Sequence, residues 1–254
     1  MRELLDTVRA WQAEGATLGR AVVVRTFGSA PRPDGATLVV TADWRLAGSV
    51  SGGCVEGAAY EEIQAARAAG VSRVIRYGIS DEQAWDVGLA CGGTIDVLVE
   101  PYLRPEVVEA AGGSTGSVVV ILLPADAPAA AFGPHPPGAG EPPAPAFTVA
   151  DDGSLGGSTG LPEADEAIAR AARELLARGG STIVTAAGRQ FFQEGYPAVP
   201  RLVVGAVQVA MPLVRIGGRE PAETALAIMA EVVAGRYGGS GATLHGMATA
   251  SVPT

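Results

Sequence analysis

A glycine- and serine-rich segment directly before a predicted helix carries the residue types best suited to chemistry in this chain. Residues 48–54 read GSVSGGC, and an alanine-rich helix is predicted over residues 55–69, with Gly70 past its end and strands predicted over residues 73–77 and 94–100. Glycines let backbone N–H groups turn toward a ligand, and the start of a helix adds partial positive charge. The segment therefore predicts a phosphate-binding loop, with Arg25 or Arg32 nearby. Its residues are Gly48, Ser49, Val50, Ser51, Gly52 and Gly53.

Two cysteines follow glycine-rich or alanine-rich turns. Cys54 stands at the predicted helix start, where the local positive charge is expected to lower the pKa of its thiol and make it a nucleophile or soft-metal ligand. The alternative is that the glycines only form a tight strand-to-helix turn and Cys54 packs as a small apolar residue. Cys91 precedes a predicted strand over residues 94–100, and a buried structural role is the simpler interpretation there.

The composition excludes several classes of site. The 254 residues include no lysine, which excludes a Walker-type phosphate loop and lysine Schiff-base chemistry. His135 and His245 lie in a proline-rich stretch and near the C-terminus, and both are interpreted as solvated loop residues. No cluster of Cys, His and carboxylates has the tight spacing of a metal site. A net charge of −9 argues against binding to nucleic acid or to an anionic membrane.

The sequence predicts a cytoplasmic protein without a membrane-spanning segment. No apolar run approaches eighteen residues, and acids occupy the N-terminus where a signal peptide would be apolar. Two cysteines in such a chain are interpreted as thiols and not as a structural disulfide.

The fold class predicted is α/β, with a mixed-sheet N-terminal domain built from two degenerate repeats over about residues 16–102 and 114–197. Each repeat places a β-rich run before an acidic, glycine-rich turn and a helix, the second helix spanning about residues 161–178. Only the first repeat contains a cysteine at the turn. A segment with eight prolines, residues 124–146, separates the two and is predicted to form a long mobile loop without helix or inner strand.

Five short motifs occur in one order that resembles the N-terminal domain of the XdhC/CoxI family, accessory proteins for xanthine dehydrogenase and carbon monoxide dehydrogenase. The resemblance is dense over residues 1–102 and looser over residues 112–200. The motifs are GSAPR (28–32), GSVSGGCVE (48–56), YG (77–78), DEQAW (81–85) and GLACGG (88–93).

The resemblance implies a chaperone that binds the molybdenum cofactor, supports exchange of an oxo ligand for sulfido, and inserts the cofactor into a molybdenum hydroxylase. A cysteine desulfurase is implied as the sulfur donor. Cys54 would take the sulfuration role or contact the molybdenum, and whether the molybdopterin carries a cytosine nucleotide is left open. The implied cofactor-binding residues are Gly28, Ser29, Arg32, Gly48, Ser49, Ser51, Gly52, Gly53, Cys54, Glu56 and Cys91.

The C-terminal part departs from the family pattern. Residues 1–200 are predicted to form the cofactor-binding domain, and residues 201–254 a truncated Rossmann-like remnant with one helix over 221–236 and a flexible tail. The Gly-x-Gly of a dinucleotide site is replaced by Gly205-Ala206-Val207, so NAD or FAD binding is not expected. The apolar face of the 221–236 helix needs covering, which favours a homodimer.

Two other functions remain open from the residues alone. One is an enzyme, a cysteine-dependent sulfurtransferase or redox protein that uses Cys54. The other is a scaffold that bridges a cysteine desulfurase and the target dehydrogenase without touching the cofactor. A maturation factor is preferred over an enzyme.

Overall fold

A computed structural model describes residues 1–78, 93–125, 129–130 and 140–198, and all structural statements concern these residues. They form two β-sheets packed face to face, with one long helix on the outer face of each. The predicted α/β class is confirmed. Several predictions fall outside the described residues: those for the DEQAW motif, for Cys91 and the rest of residues 88–92, for the two histidines, and for the 201–254 remnant with its 221–236 helix.

The bounds of the helices and strands are as follows. The helices are α1 (Leu5–Ala13), α2 (Glu56–Ala69), α3 (Pro105–Gly112) and α4 (Pro162–Arg178), and a 3-10 turn (Arg2–Leu4) precedes α1. The strands are β1 (Leu18–Phe27), β2 (Thr37–Thr41), β3 (Leu46–Gly48), β4 (Arg73–Tyr77), β5 (Thr94–Glu100), β6 (Ser117–Leu122), β7 (Ala129–Ala130), β8 (Ala146–Ala150), β9 (Gly180–Ala186) and β10 (Arg189–Tyr196).

The two sheets share a strand order. The first sheet runs β3-β2-β1-β5-β4-β7 and the second runs β8-β6-β10-β9. Neighbouring strands pair antiparallel, apart from β4 and β7, which pair parallel. The order β2-β1-β5-β4 in the first sheet corresponds to β8-β6-β10-β9 in the second. Along the chain, α2 follows β2 and the short β3, and α4 follows β8, which is the strand equivalent to β2. This equivalence is what an internal repeat requires.

Alternation along β1 explains how the layers form. Val22 and Val24 belong to the apolar core between the sheets, whereas Ala21 and Val23 belong to the core under α2. Successive side chains of a strand point to opposite faces, so one strand supplies both cores. A third core lies between the second sheet and α4, where Ile168 is fully buried.

Most local predictions agree with these elements. The strands predicted over 73–77 and 94–100 have the observed bounds, and α2 ends at Gly70, which adopts the left-handed conformation at φ 67°. The structure adds β3, α3 and β8–β10, which the sequence patterns did not predict. Within the proline-rich segment, the described Ala129–Ala130 forms β7 at the edge of the first sheet. Proline is tolerated near edge strands because no inner ladder needs its missing N–H group.

Candidate functional site

Three of the sequence motifs meet at one end of the first sheet. The antiparallel register pairs Phe27 with Thr94, and the Ser49 N–H donates to the Thr37 carbonyl oxygen at 2.9 Å. Four strand termini therefore lie at the same end of the first sheet: the end of β1, the start of β2, the end of β3 and the start of β5. The name motif edge is used below for this end of the sheet, that is, for the four strand termini together with segments 28–36 and 49–55 and residue 93.

Close backbone packing links two of these segments directly. A Cβ atom on Gly93 would lie 2.8 Å from the Ala30 nitrogen and from the Ser29 carbonyl oxygen, so only glycine fits. Gly93 is the last residue of the GLACGG motif, and Ser29 and Ala30 belong to GSAPR. The fold thus brings together motifs separated by about sixty residues of chain.

The predicted phosphate-binding loop is wrapped around an internal carboxylate. The Glu56 Oε1 atom accepts hydrogen bonds from the Ser49 hydroxyl at 2.6 Å, the Val50 N–H at 3.1 Å and the Ser51 N–H at 3.0 Å. The Oε2 atom accepts from the Ser51 hydroxyl at 2.6 Å and the Gly53 N–H at 2.9 Å. The side chain on the first turn of α2 therefore occupies the place expected for an anion.

The remaining donors of the loop are also engaged within it. The Gly52 N–H donates to the Ser49 hydroxyl oxygen at 2.7 Å, and the N–H groups of Cys54 and Val55 donate to the Ser51 hydroxyl oxygen at 3.0 and 2.9 Å. A phosphate could use the loop amides only by displacing Glu56 or by breaking these contacts to the Ser49 and Ser51 hydroxyl groups. The sequence pattern found the loop and its anion-binding character, but could not indicate that the helix supplies its own anion.

The hydrogen bonds determine the ionisation of Glu56. Partial burial alone would raise its pKa, but the donors from Ser49 and Ser51 outweigh that effect and lower the pKa to about 2. The carboxylate is therefore charged throughout the neutral range. It fixes the loop, and it leaves Cys54 exposed at the start of α2.

The second sheet repeats this junction without a thiol. Asp165 on α4 accepts from the Ser158 hydroxyl at 2.6 Å and from the Thr159 N–H at 2.8 Å. Ser49 precedes Glu56 by seven residues, as Ser158 precedes Asp165. At this spacing the position of Cys54 is taken by Glu163. The carboxylate-filled turn is thus a structural device common to both halves, and the cysteine is an addition to the first.

A pair of arginines lies beside an aromatic ring at the motif edge. Arg76 donates to both carboxylate oxygens of Asp96, at 2.7 and 2.9 Å, and an Arg25 nitrogen lies 3.8 Å from the same group. Both guanidinium groups approach the Phe27 ring, at 5.1 Å for Arg76 and 6.0 Å for Arg25. Asp96 is 2% exposed, whereas the side chains of Arg76 and Arg25 are 44% and 36% exposed. Arg25 and Arg76 both face Asp96, and each guanidinium group keeps part of its surface exposed to solvent.

The other predicted binding residues lie nearby or outside the described residues. Gly28 follows Phe27 directly and adopts φ 65°, which suits glycine at this turn. Arg32 is partly exposed, and its guanidinium lies 4.0 Å from the Glu3 carboxylate. Cys91 lies outside the described residues. Sequence reasoning named Arg25 but not Arg76 or Phe27, whose proximity depends on the pairing of β4 with β5.

A buried ionic network between the sheets was also missed. Arg20, 0% exposed, pairs with Glu194 of the second sheet and, at 3.3 Å, with Glu100 of β5. Arg104 pairs with the other oxygen of Glu100, and the Tyr196 hydroxyl donates to Glu194 at 3.3 Å. A signal existed: Arg20 alternates with Leu18 and Val22 on the inward face of β1. The network joins the two sheets through complementary charges.

Two absences among the described residues bear on function. No group of three or more His, Cys, Asp or Glu side chains in the described part of the chain is placed to hold a metal ion. None of the helices formed by those residues is long and apolar enough to cross a membrane.

Comparison with known proteins supports the motif assignment. Residues 11–78 match the XdhC and CoxI family. The chain is 47% identical over 87 residues to the molybdenum cofactor insertion chaperone PaoD of Escherichia coli, an alignment that covers 34% of this chain and 26% of that protein. It is 35% identical over 99 residues to a probable xanthine dehydrogenase component from Bacillus subtilis, covering 38% of this chain and 29% of that one.

A solved structure supports the fold. A xanthine dehydrogenase from Bacillus halodurans aligns with a TM-score of 0.50 at 18% identity, over 77% of this chain and 52% of that one. At this identity the likeness concerns the fold alone. The alignments span less than a third of the curated relatives and about half of the structural relative.

Proposed function

We propose that this chain, whose residues 11–78 match the XdhC and CoxI family, binds the molybdenum cofactor at the motif edge and delivers it to a xanthine dehydrogenase-type molybdenum hydroxylase. The observation that carries the proposal is that one end of the first sheet holds both the exposed Cys54, at the start of α2, and the solvent-exposed Arg25–Arg76 pair, on the sheet face opposite α2. The 87-residue alignment of this chain with a molybdenum cofactor insertion chaperone supports the same ligand.

The residues present suit the two ends of such a cargo. The cofactor carries a phosphate and a metal with sulfur ligands. Arg25 and Arg76 would take the phosphate, because guanidinium groups donate charge-assisted hydrogen bonds to it. Cys54 would face the metal end, since a thiol is a soft ligand. Glu56 would act indirectly, by holding the loop that presents Cys54.

This assignment revises the role of the glycine loop. The backbone N–H groups of Val50, Ser51 and Gly53 already donate to Glu56. Placing a phosphate there would remove a carboxylate that is held by five hydrogen bonds. The arginine pair requires no such exchange, so we assign the phosphate to it.

Finer details of the function are part of the same proposal. We place sulfuration of the cofactor at Cys54, with a cysteine desulfurase as sulfur donor. The recipient would be a xanthine dehydrogenase or carbon monoxide dehydrogenase, the protein would act in the cytoplasm, and the assembly would be a homodimer. Residues 1–200 would form the cofactor-binding domain, and the repeated strand order and the two carboxylate-filled turns support its origin from two repeats.

Retention of molybdopterin during gel filtration tests the proposal. The purified chain is mixed with molybdopterin, and the fluorescence that co-elutes with protein is measured. We expect co-elution for the wild-type chain, a clear loss for Arg76→Gln, and no change for Arg170→Gln on the exposed side of α4. Absence of co-elution with a folded wild-type chain would refute cofactor binding and favour the scaffold function.

A second candidate, a sulfurtransferase, is favoured by the exposure of Cys54. The Cys54 thiolate would attack the outer sulfur of a persulfide donor, the donor S–S bond would break and the donor would leave as a thiol, and mass spectrometry would detect the Cys54 persulfide. Repeated transfer to an acceptor thiol without molybdopterin would support the enzyme over the chaperone.

A further inference from the structure

A cavity of about 310 Å³ lies between the two sheets, on the inner side of the segment that links β1 to β2. Its wall includes Arg32 and Asp34 from that segment, Ser181 from β9, and Glu194 and Tyr196 from β10. The volume is at the lower end of the range of small-molecule sites. Arg32 of the GSAPR motif lines the cavity, but the proposed phosphate and thiol contacts do not account for it.

Unsatisfied hydrogen-bonding atoms converge on this cavity. Among the residues that the structure describes, the buried atoms Arg32 Nε, Asp34 Oδ1 and Glu194 Oε2 have no hydrogen-bond partner. Glu194 is 3% exposed, and its other oxygen is held by Arg20 and Tyr196. Buried polar atoms are normally paired, so three unpaired ones around one space indicate a ligand with complementary groups.

The charges around the cavity select the kind of ligand. Asp34 and Glu194 offer carboxylate oxygens. An ionised carboxylate accepts hydrogen bonds but cannot donate one. The cationic groups among the described lining residues are the Arg32 side chain, 4.0 Å from Glu3, and the α-amino group of Met1, whereas Glu3, Asp34 and Glu194 contribute three carboxylates. This balance disfavours a phosphate or other anion. It favours a neutral ring that donates through N–H groups and accepts through one carbonyl oxygen.

We infer that this cavity binds the 2-amino-4-oxopyrimidine edge of a pterin ring. That edge presents adjacent N–H donors, which match the free oxygens of Asp34 and Glu194, and a carbonyl oxygen, which matches Arg32. The inference rests on the proposed function, because the pterin is part of the molybdenum cofactor. The same edge occurs in guanine, so the test includes both sources.

The position of the cavity fits a ligand shared with the motif edge. Burial raises the pKa of Asp34, while hydrogen bonding by Thr26 and the nearby Arg25 charge lower it. Arg25 is therefore close enough to act on Asp34, and it also belongs to the proposed phosphate pair. A ligand whose ring enters the cavity would have its charged end directed to solvent-exposed arginine.

Close packing restricts how the cavity wall can change. A Cβ on Gly35, which has φ 85°, would overlap the Ser181 hydroxyl oxygen. The link between the β1–β2 segment and β9 therefore depends on glycine. This contact holds the two walls, one from each sheet, at a fixed separation.

Fluorescence titration of the full chain with pterin tests the inference. Lumazine, which has an oxygen in place of the 2-amino group, is the matched control ligand, and guanosine is the third probe. We expect saturable binding of pterin, at least tenfold weaker binding of lumazine, and weaker binding of guanosine. Equal binding of pterin and lumazine, or tighter binding of guanosine than of pterin, would overturn the inference.

Two variants locate the site. Asp34→Asn and Glu194→Gln keep side-chain shape but replace an acceptor by a donor, and each should weaken pterin binding at least fivefold, whereas Glu163→Gln on α4 should not. Circular dichroism checks folding, and if Glu194→Gln does not fold, Asp34→Asn decides. Wild-type affinity for pterin in Asp34→Asn would overturn the assignment.

A chain that retains molybdopterin but binds no pterin refutes this inference only. One that binds pterin but retains no molybdopterin refutes the proposed function.

Discussion

The Ser49 hydroxyl donates a 2.6 Å hydrogen bond to the carboxylate of Glu56, seven residues further along the chain. This contact closes the glycine-rich turn around an internal anion and places Cys54 at the outer side of the helix start. Ser158 and Asp165 repeat the relationship at the same distance in the second sheet. The turn is therefore a structural element in both halves, and the chemical difference between them is the thiol.

Replacing Glu56 should destabilise the chain in a pH-dependent way. The pKa of Glu56 is lowered from 4.5 to about 2 in the folded state, so its stabilisation is complete above about pH 4.5 and is lost as the pH falls toward 2. After allowance for its partial exposure, we expect Glu56→Gln to cost roughly 1–2 kcal/mol at pH 7. Urea unfolding of both chains at pH 7 and pH 3 measures this. A cost that is the same at both values would contradict the assignment, and Glu163→Gln serves as the exposed control.

Replacing Cys54 should affect cargo binding and leave folding intact. Because Cys54 is exposed, we expect Cys54→Ser to change the free energy of unfolding by less than about 0.5 kcal/mol. Molybdopterin retention should fall about tenfold, equivalent to about 1.4 kcal/mol. Cys91→Ser should have the smaller effect on retention. Unchanged retention and unchanged activation of the recipient enzyme in Cys54→Ser would rule out the thiol role.

Removing Arg20 should be strongly destabilising. Its guanidinium neutralises Glu100 and Glu194, and both carboxylates are almost fully buried. We expect Arg20→Ala to cost about 3–5 kcal/mol, because Arg104 would then be the remaining guanidinium paired with the two buried carboxylates, and Glu194 would keep the Tyr196 hydroxyl but lose its cation. Arg170→Ala is the control, since Arg170 forms a 3.8 Å pair with exposed Glu166 and should cost less than about 1 kcal/mol. Similar urea midpoints for the two variants would show that the buried network contributes little.

Gly48 should tolerate substitution less well than Gly52. Both have positive φ values, 82° and 81°, which cost alanine about 1–2 kcal/mol. A Cβ on Gly48 would also overlap the Thr37 carbonyl oxygen and lie 2.8 Å from a Leu4 methyl group, whereas one on Gly52 meets no heavy atom within 4 Å. Gly48→Ala should therefore lower the thermal midpoint further than Gly52→Ala. Equal midpoints would indicate that β3 shifts to make room.

The sequence by itself determined the local elements of this protein. The strands at residues 73–77 and 94–100 and the end of α2 at Gly70 follow from apolar alternation, helical periodicity and glycine conformation, which involve neighbouring residues only. It also located the glycine-rich turn and its cysteine. These features were predictable because short-range preferences do not depend on which distant segment packs against them.

Only the tertiary structure decided which side chains meet. Arg20 pairs with Glu194 across 174 positions of sequence, and Asp34 and Glu194 share a cavity although they lie in different sheets. Even Glu56, only seven residues from Ser49, was assigned to cofactor binding from the sequence, whereas in the structure its carboxylate lies inside the turn. Pairing of this kind depends on the register and facing of whole sheets, and the cost of a buried charge is known only once its partner is in place.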